Sequence, residues 1–377
     1  MSARPARLLH LALRDFRNLA RVELDAPADG FVVIGENGQG KTNLLESIYY
    51  LQILRSTRGA RDQDLVRFGA DSFHIGASVD AERCHEIGIG FERTGKRKRV
   101  RLDGAIPEKL TDALGALPSV MFSPTDVELI SGAPSARRRF LDIMLALTGA
   151  PRGYLGALQS YRAALARRNA ALREHARANR ANPSAVSVWE PALAKHGAAL
   201  FAERRAWVTA IESRFTELCR EIGETGRVVI RYSSSLNDTE DPAAALVGAL
   251  AERRAGDLRR GLTSVGPHRD DLSITLEDPS GTPRELRSFG SAGQQRSAAI
   301  ALRMLEAATF TERTGRAPLF LLDDPFAELD VRRSTRVLEL LTRNGLGQTI
   351  LAVPRENDIP IELTSLARQR MHGGELV

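Results

Sequence analysis

A glycine-rich segment that matches the pattern Gly-x-x-x-x-Gly-Lys-Ser/Thr in full constrains the fold of this 377-residue chain more than any other feature. The segment follows an apolar run, residues 30–34, and precedes a stretch with the apolar spacing of a helix. Its residues are Gly35, Glu36, Asn37, Gly38, Gln39, Gly40, Lys41 and Thr42. Glycines let the backbone turn so that successive N–H groups face phosphate oxygens, and a helix N-terminus adds partial positive charge. The pattern therefore predicts a phosphate-binding loop between a buried strand and a helix.

The last two residues of the loop suit a nucleoside triphosphate and its metal ion. Lys41 supplies a mobile charge for the β- and γ-phosphates, and the Thr42 hydroxyl can ligate Mg²⁺. Such a site needs a carboxylate at the end of another strand, and the apolar run 319–322 ends in two acids. We expect Asp323 to hold Mg²⁺ through water and Asp324 to orient the water that attacks the γ-phosphate. Lys41, Asp323 and Asp324 are therefore the candidate catalytic residues.

A second candidate anion site, Ser291-Ala-Gly293-Gln294, opens a predicted helix before the acids. It resembles the signature of ABC-type ATPases, which usually reads Ser-Gly-Gly-Gln. In isolation an N-cap followed by a turn explains the segment, but its position between the phosphate loop and Asp323 favours the signature. In ABC proteins the signature closes on the nucleotide that the other subunit holds. The order of the motifs therefore predicts a homodimer with two ATP molecules, each also contacted by Ser291, Gly293 and Gln294.

The pattern of strands and helices predicts an α/β fold with a mainly parallel sheet covered on both faces. We expect an ABC-type P-loop ATPase head composed of residues 1–125 and 226–377, with a β-meander at about 72–110. Residues 126–225 are expected to form an inserted helical arm. Two heptad-like seams on either side of a break suggest an antiparallel hairpin, and an ordinary helical subdomain explains them as well.

Charge and composition bear on the partners. The net charge is +6, and the basic excess is almost all arginine. A basic balance favours a polyanion, although a GC-rich genome also enriches arginine. The densest basic run is Lys96 to Arg99 with Arg101, and Arg137 to Arg139 is another. Either can contact DNA phosphates or simply be a solvated surface. Because no aromatic ladder accompanies them, we favour contact with the backbone of duplex or junction DNA.

Location is predicted from what the chain lacks. No stretch approaches ~20 uninterrupted apolar residues, which predicts no membrane span. The N-terminal residues carry charges and have no apolar core of a signal peptide. Cys84 and Cys219 lie far apart without metal-ligand spacing. These observations predict a cytoplasmic protein without a disulfide or zinc site.

Several further stretches resemble the RecF family. They are ordered as in that family and run from residue 8 to about 353, which is nearly the whole chain. Besides the motifs above, they are Phe16-Arg17-Asn18, Met121 to Asp126, Arg137 to Asp142, Tyr161-Arg162 through Arg168-Asn169, Val265 to Asp271, and Ala327-Glu328-Leu329-Asp330 at the place of an ABC D-loop. RecF heads are similar to those of SMC and Rad50 proteins but carry a short arm.

The resemblance implies a DNA repair and replication protein that dimerises on DNA with ATP and hydrolyses it slowly. It implies DNA as a partner in single-stranded, duplex, junction or gapped form. It also implies cooperation with RecR and RecO, and support for RecA loading at gaps, replication restart and the SOS response. The D-loop stretch would contact the opposite subunit.

Two departures and two alternatives accompany this interpretation. Val353-Pro354-Arg355 stands where ABC heads carry a switch histidine, and residues 120–130 contain no Q-loop glutamine. Since a proline has no N–H to donate, we expect slow turnover. An ABC transporter ATPase subunit is one alternative, but it would need that glutamine and usually the histidine. A P-loop kinase or GTPase acting on a small molecule is the other, and it would need neither the signature nor the arm.

Overall fold

The computed structural model of the chain describes residues 4–149, 153–178, 183–236, 239–277, 281–326, 329–343 and 347–377. They form two compact units. Unit 1 contains residues 1–126 and 299–377, and unit 2 contains residues 127–298. No helix within these described ranges is long and apolar enough to cross a membrane.

Both units mix strands and helices, as the sequence predicts. The strands are β1 Arg4–Pro5, β2 Arg7–Phe16, β3 Leu19–Asp25, β4 Gly30–Ile34, β5 Ser72–Asp80, β6 Glu86–Glu92, β7 Arg97–Leu102, β8 Ser119–Phe122, β9 Val228–Ser233, β10 Asp271–Glu277, β11 Pro283–Glu285, β12 Arg316–Ala317, β13 Leu319–Asp323, β14 Thr349–Val353, β15 Ala367–His372 and β16 Glu375–Leu376. The helices are α1 Lys41–Ile53, α2 Glu128–Ser131, α3 Pro134–Thr148, α4 Tyr154–Ala178, α5 Pro183–Ser187, α6 Glu190–Ile222, α7 Pro242–Arg260, α8 Leu286–Phe289, α9 Ala292–Thr314 and α10 Val331–Arg343.

The central sheet of unit 1 positions the predicted site. Its order is β16-β15-β4-β14-β13-β8, and the pairs from β15 to β8 are parallel. Every residue of β4, β13 and β14 is buried, which is typical of parallel strands and explains their continuous apolar sequences. Because the strands are parallel, β4, β8, β13 and β14 end at the same edge. The phosphate loop, Ser123, Asp324 and Pro354 follow those four strands.

The second sheet of unit 1 is antiparallel, with the order β3-β2-β5-β6-β7. It contains the predicted meander as β5, β6 and β7. On its inner face Phe16, Tyr50 and Phe73 meet edge to face, with ring centroids 5.3–6.2 Å apart. Since Tyr50 belongs to α1, this aromatic cluster attaches the helix that begins at the phosphate loop to the antiparallel sheet.

Unit 2 combines the helices α2 to α8 with the sheet β11-β10-β9. α4 and α6 run antiparallel, since Arg168 near the end of α4 pairs with Glu190 at the start of α6 and Arg204 bonds to Tyr154. The predicted break between them includes residues 181 and 182, which lie outside the described residues. From the sequence, residues 226–298 are expected to belong to the head. The structure places them with the helices of unit 2 instead, because β9 and α7 pack on α6.

Candidate nucleotide-binding site

The phosphate loop has the backbone geometry that its glycines permit. Gly38 and Gly40 have φ of 82° and 115°, in the region that residues with side chains rarely adopt. A Cβ at Gly40 would also lie 2.9 Å from the side chain of Asn18. Gly40 is the N-cap of α1 and has no side chain that could accept the first-turn N–H groups. The start of α1 is therefore shaped to present N–H groups to an anion.

Lys41, the first residue of α1, lies folded over its own loop. Its Nζ donates to the carbonyl oxygens of Gly35, at 2.5 Å, and Glu36, at 3.0 Å. Burial lowers the pKa of Lys41, and the nearby carboxylates of Asp323 and Asp324 oppose that shift. A partly desolvated ammonium interacts more strongly with phosphate charge than one in bulk water.

Thr42 and Asp323 meet across the central sheet edge. The Thr42 hydroxyl donates to Oδ1 of Asp323 at 3.0 Å. Adjacent ligands of an octahedral Mg²⁺ ion with bonds of 2.0–2.1 Å are ~2.9 Å apart, so this oxygen pair fits the ion or its water shell. Burial raises the pKa of Asp323, while the hydrogen bond from Thr42 and the charge of Lys41 oppose that rise. A divalent cation would favour the charged carboxylate further.

Asp324 has an unusual backbone conformation. Its φ is +45°, and its N–H donates to the carbonyl of Ala352 on β14 at 2.9 Å. A non-glycine residue in this region costs on the order of 1–3 kcal/mol, and such costs concentrate at functional sites. The conformation turns the chain sharply where β13 ends.

One cavity of about 320 Å³ in unit 1 brings most of the predicted residues together. It is lined by Asn37, Gly38, Gly40, Lys41, Thr42, Asn43, Arg58, Pro124, Asp323, Asp324 and Pro354. The other loop residues have supporting contacts. Gly35 and Glu36 hold the Lys41 ammonium, and the Gln39 side chain accepts the N–H of Gly373 at 2.6 Å. The cavity can hold a triphosphate between a cation, helix N–H groups and a metal-binding carboxylate.

Sequence reasoning missed Arg58 as a lining residue of the cavity. Its guanidinium donates to the fully buried Glu46 at 2.7 Å and to Asn43. Glu46 also pairs with Arg17 at 3.1 Å. Burial would raise the pKa of Glu46, but hydrogen bonds from Ser56 and Arg17 with both arginine charges hold it below its usual range. The pair gives a structural role to Arg17 of the quoted Phe16-Arg17-Asn18 stretch, whereas no spacing pointed to Arg58.

Two prolines line the cavity near the ends of central strands. Pro124 lies two residues after the end of β8, and Pro354 comes directly after β14, at the place of the switch histidine. The segment at Pro124 is held by Asp126, which accepts the N–H of Ser123 at 2.8 Å and pairs with Arg303 at 2.7 Å. Neither proline can donate a backbone hydrogen bond to a phosphate.

The predicted signature lies in unit 2 at the start of α9. The N–H of Gln294 donates to the Ser291 hydroxyl at 3.2 Å, and the N–H of Ser291 donates to the Gln294 side chain at 2.9 Å. This is a capping box, the local role that an N-cap predicts. Gly293 lies in the first turn of α9. Of the predicted D-loop, Ala327 and Glu328 lie outside the described residues, and Asp330 accepts the N–H of Arg333 at 2.9 Å.

Each of the two predicted basic runs contains a residue whose side chain is bound inside the protein instead of being exposed. Lys98 points inward from β7, where its ammonium pairs with Asp62 at 2.7 Å, bonds to the Leu54 carbonyl at 2.6 Å and lies 5.2 Å from the Tyr50 ring centre. In the second run, Arg137 is only 3% exposed and binds Asp271 through two nitrogens. Lys98 and Arg137 are therefore engaged internally.

The stretch Val265 to Asp271 also has internal contacts. The Tyr161 hydroxyl donates to Nδ1 of His268 at 2.7 Å, and Nε2 donates to the Thr263 carbonyl at 3.0 Å. Gly266 has φ of 119°, and a Cβ there would lie 2.6 Å from the Tyr161 hydroxyl. Burial lowers the pKa of His268 to about 4. The stretch thus anchors α4 to the chain that leads into β10.

Comparison with known proteins agrees with this geometry. The family model described as the RecF/RecN/SMC N terminal domain matches residues 7–359. The chain is 35% identical to the DNA replication and repair protein RecF of Geobacter sp. (strain M21), over 98% of this chain and 100% of that protein. It is 36% identical to the RecF protein of Chloroflexus aggregans (strain MD-66 / DSM 9485), over 97% of this chain and 98% of that protein.

Solved structures give the same picture. A structure of the recombination mediator protein RecF with ATP, described as part of the RecFOR pathway, matches with a TM-score of 0.88 at 27% identity. That match covers 100% of this chain and 98% of the other. The Smc head domain from Pyrococcus furiosus matches with a TM-score of 0.54 at 18% identity, which is a likeness of fold alone.

Proposed function

The chain belongs to the RecF family of DNA replication and repair proteins, and from that membership we propose that two copies close around two ATP molecules on DNA and reopen on hydrolysis. The chain is accordingly an ATP-binding protein of DNA repair with an ABC-type ATPase fold. The observation that carries the proposal is the cavity of unit 1, where Lys41, Thr42 and Asp323 line one space.

Three residues of the cavity, Lys41, Thr42 and Asp323, are assigned tasks in binding ATP. The Lys41 ammonium leaves the carbonyls of its own loop and binds the β- and γ-phosphates, while first-turn N–H groups of α1 bind the same oxygens. Thr42 and Asp323 hold Mg²⁺, which neutralises charge between the phosphates when it is bound. The fit of their two oxygens, 3.0 Å apart, supports this assignment.

Hydrolysis is assigned to Asp324, which orients the attacking water at the end of β13. We infer that turnover is weak and depends on DNA. Aspartate is one methylene shorter than the glutamate that many such ATPases use. The cavity lining also includes Pro354, at the place of the switch histidine, and Pro124, and neither can donate a hydrogen bond to the γ-phosphate. A site with fewer groups directed at the developing charge stabilises the transition state less.

Closure of the dimer is assigned to the signature. Ser291, Gly293 and Gln294 of one copy would cap the ATP held at Lys41 of the other, with Leu329 and Asp330 near the same interface. The capping box supports this use, because it fixes a hydroxyl at the N-terminus of a helix, where an anion is favoured.

Partners follow from the family. We infer that the chain acts on DNA, with single-stranded, duplex, junction and gapped forms as candidates, and that it works with RecO and RecR to support RecA at gaps. A protein with these partners would act in the cytoplasm of a bacterium. The similarity to a RecF structure described within the RecFOR pathway supports this inference.

Two measurements test the proposal together. We expect ATP hydrolysis to be slow and to rise when gapped or duplex DNA is added, and sedimentation to show dimers only with ATP and Mg²⁺. A monomer that phosphorylates a small molecule would replace the proposal with a P-loop kinase. Activity that depends on a membrane component and ignores DNA would favour a transporter subunit.

A further inference from the structure

On the outer face of the antiparallel sheet of unit 1, most arginines lie at one end of the strands and most acidic residues lie toward the other end. Along β7 the residues alternate, so that Arg97, Arg99 and Arg101 are exposed while Lys98 and Val100 point inward. The turn before β7 adds the exposed residues Arg93 and Lys96 at the same end of the sheet.

The register of the sheet places three arginines and His74 in one row that crosses the five strands. Arg99 on β7 pairs with Gly90, which pairs with His74 on β5. His74 in turn pairs with Arg14 on β2, and Arg14 pairs with Arg21 on β3. With strands about 4.8 Å apart, Arg99 and Arg14 are three strand spacings, or roughly 14 Å, apart at the backbone.

Between these arginines the sheet is almost bare. The neighbouring row reads Arg101, Gly88, Gly76 and Ala12 across β7, β6, β5 and β2. A Cβ at Gly76, Gly88 or Gly90 would lie 3.4–3.9 Å from atoms of the His74 imidazole. The ring therefore lies close to the sheet and fills the space above the glycines. The result is a shallow floor with arginines on both sides.

The arginines of this basic end have few acidic partners. Among the described residues, Arg14, Arg97, Arg99 and Arg101 form no ion pair with a carboxylate within 4 Å, whereas Arg21 pairs with Glu23 on its own strand. The other acids of this face are Glu92, opposite Arg97, and three residues toward the opposite end of the strands. Those three are Asp25, Asp80 and Glu86.

We propose that this basic end, formed by Arg14, Arg97, Arg99 and Arg101 around the glycine floor, binds the phosphate backbone of duplex DNA. The proposal rests on the proposed function, since it assigns a surface to DNA binding. Exposed guanidiniums without carboxylate partners suit phosphate oxygens, and the bare floor lets a sugar–phosphate backbone approach closely. Alternate residues of β7 are about 6.7 Å apart, close to the ~6.8 Å rise of two nucleotides.

Duplex DNA fits this face better than single strands. A surface for single strands needs exposed aromatic side chains on which successive bases stack. On the described outer face the five strands carry only the rings of His10, which pairs with Asp25, and His74. The His74 ring lies against the glycines. The face therefore offers charge and close approach rather than stacking.

The test is duplex binding by the double variant Arg99→Ala/Arg101→Ala, measured by fluorescence anisotropy over a range of salt concentrations. Each lost phosphate contact lowers the slope of log K against log salt by about 0.9. We expect binding at 0.1 M salt to weaken by at least about tenfold and the slope to fall by about 2. Arg14→Ala, which removes an arginine on the other side of the glycine floor, should lower the slope by about 1. Binding of ATP without DNA should be unchanged.

Arg220→Ala/Arg253→Ala is the matched control, because it removes two exposed charges from helices of unit 2. If it weakens binding as much as the sheet variant, net charge rather than this face governs binding, and the proposal is overturned. Wild-type affinity and slope in Arg99→Ala/Arg101→Ala would overturn it as well, with the proposed function intact. A wild-type chain that binds no DNA would overturn both.

Discussion

At the scale of single residues, the nucleotide cavity depends on charges that stabilise one another. Lys41 lies near Asp323 and Asp324, and burial acts against the charged form of both Lys41 and Asp323. A triphosphate with Mg²⁺ brings charges of both signs into the same space. The site is therefore sensitive to the geometry of each charge as well as to its sign.

Replacing Lys41 tests this point directly. In Lys41→Arg the positive charge remains, but a planar guanidinium cannot follow the path of the lysine ammonium through the loop. We expect ATP turnover to fall by about 10²-fold, comparable to the loss of one well-placed donor. Lys109→Arg, at an exposed lysine, is the control. Normal hydrolysis by Lys41→Arg would show that the catalytic site lies elsewhere.

His268 makes a prediction about pH. Its pKa is about 4 in the folded chain and about 6.5 when unfolded, so the unfolded chain binds more protons in between. The contribution of neutral His268 to the unfolding free energy should therefore be fully present above about pH 6.5, and it should be lost as the pH falls toward 4. Between pH 7.5 and 5 this one residue should cost about 2 kcal/mol.

Urea unfolding followed by tryptophan emission measures this loss, because both tryptophans, Trp189 and Trp207, belong to unit 2 together with His268. His268→Gln keeps a donor for the Thr263 carbonyl but does not titrate. It should lose less stability between pH 7.5 and 5 than the wild type. Equal losses would mean that other groups account for the pH dependence.

Sequence reasoning reached the residues of the site that are local in the chain. The loop from Gly35 to Thr42 is continuous, and the apolar run before Asp323 marks a buried strand. Arg58 and Pro124 line the cavity because the fold brings the chain after α1 and the chain after β8 to the phosphate loop. The spacing of residues in the sequence does not predict that arrangement. In the same way, an exposed and a buried histidine look alike in sequence, so the role of His268 required its contacts.

At the scale of elements, alternation along a strand explains what a count of charges could not. The run from Lys96 to Arg99 is uniformly basic in sequence, yet β7 directs Lys98 inward and its neighbours Arg97 and Arg99 outward. β15 was not predicted at all, because its sequence Ala-Arg-Gln-Arg-Met-His buries only Met371. Its pairing with β4 is a tertiary effect that overrides a weak local pattern.

Adjacent residues of β7 should therefore behave differently when changed. Lys98→Met removes the ion pair with Asp62 and the bond to the carbonyl at the C-terminus of α1. We expect a loss of about 1–3 kcal/mol in unfolding free energy and faster hydrogen exchange at the end of α1. The salt slope of DNA binding should stay at the wild-type value, unlike that of Arg99→Ala/Arg101→Ala. A reduced slope would mean that Lys98 reaches the DNA.

At the scale of the whole molecule, the two halves of the proposed ATP site lie in different compact units. Lys41 and Asp323 belong to unit 1, and Ser291 belongs to unit 2. The proposed function requires that Ser291 act on the nucleotide of another copy. This is a claim about which chains share a site, so it can be tested by mixing two chains that are each defective.

Lys41→Ala removes the ammonium that binds the β- and γ-phosphates. Ser291→Arg places a large side chain where the signature of one copy would contact the ATP of the other. Each variant alone should therefore be inactive. In an equal mixture with free exchange, half of the dimers are mixed, and each mixed dimer joins one intact Lys41 to one intact Ser291. The mixture should therefore regain up to about a quarter of wild-type ATPase activity with DNA present. A mixture of Lys41→Ala with the double variant Lys41→Ala/Ser291→Arg contains no intact Lys41, so it is the control and should regain no activity. If the first mixture also stays inactive while sedimentation shows that mixed dimers form, the nucleotide is not shared between copies in the way proposed.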